Sequence, residues 1–175
     1  MSDALVIIPT YNENENINAI IKAVFNQKKA FDVLIVDDNS PDGTSEIVLQ
    51  LMNEFPNKLF LEKRLKKNGL GTAYIHGFKW ALARNYEFII EMDADFSHDP
   101  KDLNRLYKAC FKEGADVSIG SRYSVGVNVV NWPMKRVLLS YFASKYVRLI
   151  TGIPVYDTTA GFVCWKRNVL ETINL

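Results

Sequence analysis

The sequence is poor in the features that mark several common classes of protein. It has two cysteines, Cys110 and Cys164, whose spacing suits no metal site. Cys110 falls on the apolar face of a predicted helix, so both read as reduced core residues of a cytoplasmic chain, not as a disulfide framework. Neither sign of charge is in excess: 21 basic residues stand against 20 acidic ones. That balance excludes a polycation built for bulk contact with nucleic acid, which is not an expected partner. Only a short apolar run separates Asp3 from Pro9, which fits no signal peptide. No uninterrupted apolar stretch approaches the roughly 20 residues of a bilayer-spanning helix. A G-x-G-x-x-G dinucleotide loop and a G-x-x-x-x-G-K-S/T phosphate loop are both missing. Internal repeats, low-complexity segments and inter-domain linkers are missing as well.

What is present is the patterning of one soluble domain: 175 residues, 48% of them apolar. Short continuous apolar runs at Ala4–Ile8, Val33–Val36 and Leu59–Leu61 predict buried strands, with a fourth inside Glu87–Pro100. Between them lie helical periodicities. Ile17, Ile20, Ile21, Val24 and Phe25 form one stripe. Ile47, Val48, Leu51, Met52 and Phe55 form the next, in a helix expected to be capped by Thr44. A third helix is predicted over Thr72–Arg84 with Ile75, Phe78 and Leu82 inward, and a fourth over Lys101–Glu113. Asp116–Gly120 and Phe162–Trp165 predict two further strands. The helix expected over Pro133–Thr151 carries a stripe of Leu138, Phe142, Tyr146 and Leu149, with Ser140, Ser144 and Arg148 opposite. Strand–helix alternation with short connections means an α/β fold, a mostly parallel twisted sheet with helices on both faces.

Ligands of such sheets bind outside the carboxyl ends of the strands, and polar residues collect there. Tyr11 and Glu13 follow the first strand, Asp37 and Asp38 the second, Asp93 and Asp95 the fourth, and Arg122 the fifth. In the stretch EFIIEMDADFSHDP, an apolar strand gives way to two aspartates one residue apart, before Asp99-Pro100 opens a helix. Alternate residues of an extended segment share a face, so Asp93 and Asp95 can converge. Converging carboxylates repel unless a cation separates them, and hard oxygen ligands suit Mg²⁺ or Mn²⁺. A solvated acidic loop would show the same residues; polar clusters at four strand ends favour one site. An acidic centre with basic residues at its rim suits a nucleotide diphosphate and metal-assisted displacement.

Six segments in order, VIIPTYNENENI, VLIVDDNSPDGTSEIV, NGLGTAYIHGFKWAL, MDADFSHDP, GSRY and NWPMKR, resemble the family 2 glycosyltransferases of the GT-A fold. Among these they are most similar to the polyprenol-phosphate (dolichol-phosphate) mannosyltransferases, from about Leu5 to Trp165. The resemblance implies inverting transfer of a sugar from a nucleotide donor, GDP-mannose, to a polyprenyl phosphate, with Mg²⁺ or Mn²⁺. It assigns Pro9, Tyr11, Glu13, Val36 and Asp38 to the nucleotide. Asp93, Ala94 and Asp95 fall to the donor diphosphate, with Asp93 and Asp95 on the metal. Arg122 and Arg136 are assigned to the phosphates or the incoming acceptor. Ser97 stands where some relatives have a glutamine ligand, and His98 is a substitute candidate. Such enzymes continue past this point, so the chain is read as a single catalytic domain, 1–175, cut short at its C-terminal end.

An ionised phosphate acceptor needs no strong general base. Asp157 either reaches the sugar or caps the Thr158–Gly161 turn. The helix from Pro133 is read as core-packed for most of its length. The alternative lays its aromatic and basic residues on anionic lipid, a peripheral contact at the inner face of the membrane. Lys58, Lys63, Arg64, Lys66 and Lys67 read as a solvated loop, with Lys67 near the donor. A transferase using UDP-glucose or a glycan acceptor, and a nucleotide-sugar-binding domain without turnover, are the competing readings.

Overall fold

The computed structural model describes residues 2–121 and 134–175, the side chains of Arg136 and Val137 excepted. Strands β1 (Ala4–Thr10), β2 (Asp32–Asp37), β3 (Leu59–Lys63), β4 (Phe88–Glu91), β5 (Val117–Ile119) and β6 (Val163–Lys166) form one sheet in the order β3-β2-β1-β4-β6-β5. Helices α1 (Ile17–Phe25), α2 (Thr44–Glu54), α3 (Leu70–Leu82), α4 (Leu103–Phe111), α5 (Met134–Thr151) and α6 (Arg167–Thr172) connect and cover it, with a 3₁₀ turn at Pro100–Asp102.

β1 and β2 are almost wholly buried because the sheet is covered twice. Ala4, Val6 and Ile8 face α1, α2 and α4, whereas Leu5 and Ile7 face α3 and α6. Each such side chain contributes about 1.5–3 kcal/mol by leaving water. From β1 the chain steps outward to β2 and β3 through α1 and α2 on one face. It then reverses, crossing the other face in α3 to lay β4 beside β1. Right-handed crossovers force that change of face when the direction reverses. In open sheets of this kind such a reversal marks a crevice at the strand ends, here those of β1 and β4.

Most expected elements are present, with instructive differences. β6 runs antiparallel to both β4 and β5, so its beginning, not its end, reaches the edge where β1, β2 and β4 finish. Gly43, in the left-handed region at φ 88°, takes the N-cap position of α2 expected for Thr44. Asp42 Oδ1 accepts from both the backbone N–H and the hydroxyl of Thr44. In α3 the inward face is Ala73, Tyr74, Gly77, Phe78 and Ala81, and Ile75 is exposed. The small residues win that face because α3 lies close to the sheet: a Cβ on Gly77 would stand 2.6 Å from Ile7 Cγ2. Phe111 at the end of α4 is likewise exposed. Cys110 and Cys164 are buried and free, as expected.

α5 departs furthest. Its expected core stripe is on the outside: Leu138 is 48% exposed, Phe142 60%, Tyr146 66% and Leu149 82%, whereas Ser144 is 1% exposed. The expectation of core packing is therefore corrected for these residues. Hydroxyl contacts orient the helix instead, Ser140 Oγ lying 3.0 Å from Thr159 Oγ1 and Ser144 Oγ accepting weakly from Thr158.

Candidate active site

The ends of β1 and β2 are joined side by side. Pro9 pairs with Val36 and Thr10 with Asp37, and the Asp38 N–H donates to the Thr10 carbonyl. Asp37 is fully buried and accepts from Thr10 Oγ1 (2.8 Å), Ser40 N–H (2.9 Å), Ser40 Oγ (2.6 Å) and Ser45 Oγ (2.8 Å). Burial alone would raise its pKa, but the Ser40, Ser45 and Thr10 donors outweigh burial and hold it below the usual carboxylate value. The β1–α1 loop is tied to the same place. Asn12 N–H donates to Ser40 Oγ, Glu13 N–H to Thr44 Oγ1, and Asn14 N–H to Asp42. Tyr11 and Glu13 thus stand on a loop fixed by the neighbouring strand end.

Asp38 is 6% exposed and meets Arg64 through two parallel contacts, Nε to Oδ1 at 2.5 Å and an NH2 nitrogen to Oδ2 at 2.7 Å. Arg64 also donates to Thr72 Oγ1 at the start of α3, and Asn68 N–H donates to Asp38. Arg64 was expected in a solvated loop; its side chain is only 10% exposed, because desolvating either member alone would be costly. The strand-end rule contained the missed signal, since Arg64 directly follows β3. Lys67 of the same loop reaches the β1–α1 loop, with Nζ 4.0 Å from the centre of the Tyr11 ring.

At the other side of the crevice, Ala94 is buried, Asp93 half-buried and Asp95 exposed. Asp95 Oδ1 accepts from the Ser97 N–H, and Asp99 caps the following turn by accepting from Lys101 N–H. Tyr74 of α3 donates its O–H to Asp93 Oδ1 at 2.9 Å. Burial, reinforced by the charges of Asp93, Glu91 and Asp95, pushes the Tyr74 phenol well above its ordinary pKa, so it is a firm donor. Glu91, two residues before Asp93, accepts from Trp165 Nε1 at 2.6 Å. Burial, against the Trp165 hydrogen bond and with help from Asp93, pushes Glu91 up to about 7. Alternation along β4 contains the signal for Glu91 as a companion of Asp93. Nothing local in the sequence points to Tyr74 or Trp165.

Gly161, just before β6, brings its backbone against Asp93, where a Cβ would stand 3.0 Å from Oδ2. His98 lies over Phe162, ring centres 4.9 Å apart. Asp157 is buried, and its Oδ1 accepts from Thr159 N–H and Oγ1, both at 3.2 Å; it caps the turn. Arg122 lies outside the described residues, as does the side chain of Arg136.

Among the described residues no group of three His, Cys, Asp or Glu side chains gathers. By the chemistry of their donor atoms, carboxylates such as Asp93 and Asp95 are hard oxygen ligands of the kind that Mg²⁺ and Mn²⁺ take, one or two at a time together with substrate phosphates.

The chain is 46% identical over 171 residues to polyprenol monophosphomannose synthase of Mycolicibacterium smegmatis, covering 98% of this chain and 64% of that one. It is 38% identical to dolichol-phosphate mannosyltransferase of Pyrococcus furiosus, covering 97% of this chain and 48% of the relative. The chain thus spans about half to two thirds of these proteins. A mannosyltransferase from Pyrobaculum calidifontis, solved with GDP-Man and Mn²⁺, superposes with a TM-score of 0.67 at 22% identity, over 97% of this chain and 46% of that one. That likeness carries the fold, which is GT-A. The profile of glycosyl transferase family 2 matches residues 5–173, and the chain belongs to that family.

Proposed function

We propose that this chain carries the donor-binding and metal-binding part of an inverting mannosyltransferase. It would move mannose from GDP-mannose to a polyprenyl phosphate such as dolichyl or undecaprenyl phosphate. The observation that carries the reading is the acidic pair Asp93 and Asp95 at the crevice between the β1 and β4 ends. It is supported by curated relatives at 46% and 38% identity, both named for mannosyl transfer to such lipids.

In this reading Pro9, Tyr11, Glu13, Val36 and Asp38 hold the nucleoside along the β1–β2 edge, with Asp38 already oriented by Arg64. Asp93 and Asp95 hold the Mg²⁺ or Mn²⁺ ion, and Ala94 lies against the diphosphate between them. A bound ion supplies neutralisation of the departing GDP. Arg122 and Arg136 hold the acceptor phosphate through charge-assisted hydrogen bonds. One acceptor oxygen forms the new bond to the anomeric carbon as the bond from that carbon to GDP breaks, with inversion. The acceptor is ionised at neutral pH, so alignment, not proton removal, carries the rate. Asp157 then serves the sugar side through the turn that it caps.

The acceptor is a lipid, and the outward face of α5 suits a lipid surface: Leu138, Phe142, Tyr146 and Leu149 are exposed there, as is the cation Lys145. No described helix is long and apolar enough to cross a membrane. Peripheral contact through α5, at the cytoplasmic face, is the location proposed.

Calorimetric binding of GDP, UDP and GDP-mannose, each with and without Mn²⁺, tests the reading. We expect metal-dependent binding that favours GDP over UDP by about tenfold or more, because a mismatched base leaves buried polar groups unpaired. Binding should vanish in Asp95→Ala. A preference for UDP would move the donor to a uridine sugar.

A further inference from the structure

We propose that Tyr74 and Gly161 are positioning residues that together fix the Asp93 carboxylate in its metal-binding orientation. The inference rests on the reading above, in which Asp93 is a metal ligand. It assigns roles to two residues outside the acidic motif, one on α3 and one at the entry to β6.

Three observations carry it. Tyr74 is 6% exposed, and its hydroxyl is spent on Asp93 Oδ1 at 2.9 Å. A carboxylate on a strand end has free χ rotation, and a buried donor on one oxygen removes that freedom before a cation arrives. Hydrogen bonds behind the ligating group are the usual means of orienting a carboxylate or imidazole on a metal.

The second observation is the approach of Gly161. A Cβ there would stand 3.0 Å from Asp93 Oδ2 and 3.4 Å from Oδ1. Gly161 is not among the glycines with positive φ, which are Gly43, Gly69, Gly114 and Gly152. Its backbone is one that an alanine would accept. What favours glycine is the space taken by the carboxylate, which a Cβ would push aside by a few tenths of an ångström, so the bare α-carbon forms the second wall of the seat.

The third is that both walls are anchored independently of Asp93. The Tyr74 ring stacks with Phe78 at 6.3 Å. Gly161 precedes Phe162, whose carbonyl accepts from Gly120 N–H at 2.8 Å. Asp93 is thereby held between one face of the sheet and the antiparallel strand that closes it.

The test uses this chain with Mn²⁺ as the probe, titrated by electron paramagnetic resonance in the presence of saturating GDP. Thermal midpoints are measured alongside. Tyr74→Phe keeps the ring and removes the donor; Gly161→Ala keeps the donor and crowds the acceptor. Each is expected to weaken Mn²⁺ binding by about tenfold, the usual consequence of losing a group behind a ligand. The thermal midpoint should stay near wild type. A conserved Mn²⁺ affinity in both variants, with binding lost in Asp93→Ala, overturns the inference and leaves the functional reading intact. Loss of thermal stability in step with Mn²⁺ affinity overturns it in favour of a merely structural role. A wild-type chain whose GDP binding ignores Mn²⁺ overturns both.

Discussion

Two regions of the molecule, the β1–β2 edge and α5, are built in opposite ways. On the β1–β2 flank the strand-end aspartates and the loop backbone are anchored: Asp37 has four donors, Asp38 a two-pronged arginine, and the Tyr11–Asn14 loop three backbone contacts to the next strand end. On the α5 flank, polar side chains face inward and the apolar ones lie open to solvent. A rigid polar cradle suits a soluble ligand whose hydrogen bonds have fixed directions, because preorganisation removes the entropy of ordering from the binding step. An outward apolar helix face suits a partner that offers area without direction, as a lipid surface does.

The comparison breaks most readily at Arg64. Arg64→Ala leaves Asp38 desolvated and unpaired, and about 3 kcal/mol of stability should be lost. Chemical denaturation measures this; a loss below about 1 kcal/mol would mean the cradle is not set in advance.

A smaller effect comes from Glu91. Its carboxyl is raised to about 7 from an ordinary value of 4.5. The folded chain then holds a proton that the unfolded chain releases. The resulting stability is fully present below about pH 4.5 and is lost as pH rises through about 7. In metal-free buffer, stability should fall over that window by roughly 2–3 kcal/mol. Glu91→Gln should remove that fall. Equal slopes for the two proteins would show that Glu91 is ionised throughout.

The smallest effect on stability is expected on the other flank. Leu138→Ser with Leu149→Ser changes exposed positions, so unfolding should shift by no more than about 0.5 kcal/mol. Binding to anionic vesicles at low salt should nevertheless fall. Destabilisation well beyond that limit would mean that α5 packs against protein after all.

The same contrast governs what was legible in the sequence. β1, β2 and β4 were readable because a strand buried on both faces must be continuously apolar, and the acidic strand ends followed from the topology of parallel sheets. The antiparallel sense of β6 was not readable, since direction is fixed by neighbours distant in the chain. The inward face of α3 was missed because apolar periodicity weights large side chains, whereas that face needs Ala73, Gly77 and Ala81 to lie close. α5 was read upside down for a related reason. A stripe of Leu, Phe and Tyr reports a surface that avoids water and leaves open what covers it. Tyr74, Trp165 and Arg64 depend on side chains meeting across 19 or more residues of chain, for which no local pattern exists.

The placement of β6 has a consequence for how the chain comes off the ribosome. β5 is joined to β4 only through β6, and β4 pairs with residues 163–166. Until those residues emerge, Phe88–Glu91 would present an unpaired strand edge, and β5 would have nothing to zip onto. The nascent four-stranded sheet would carry an open, apolar border through the synthesis of some seventy residues, a template for intermolecular pairing. Capture of β6 would thus be the event that both joins β5 to the sheet and completes the wall beside Asp93.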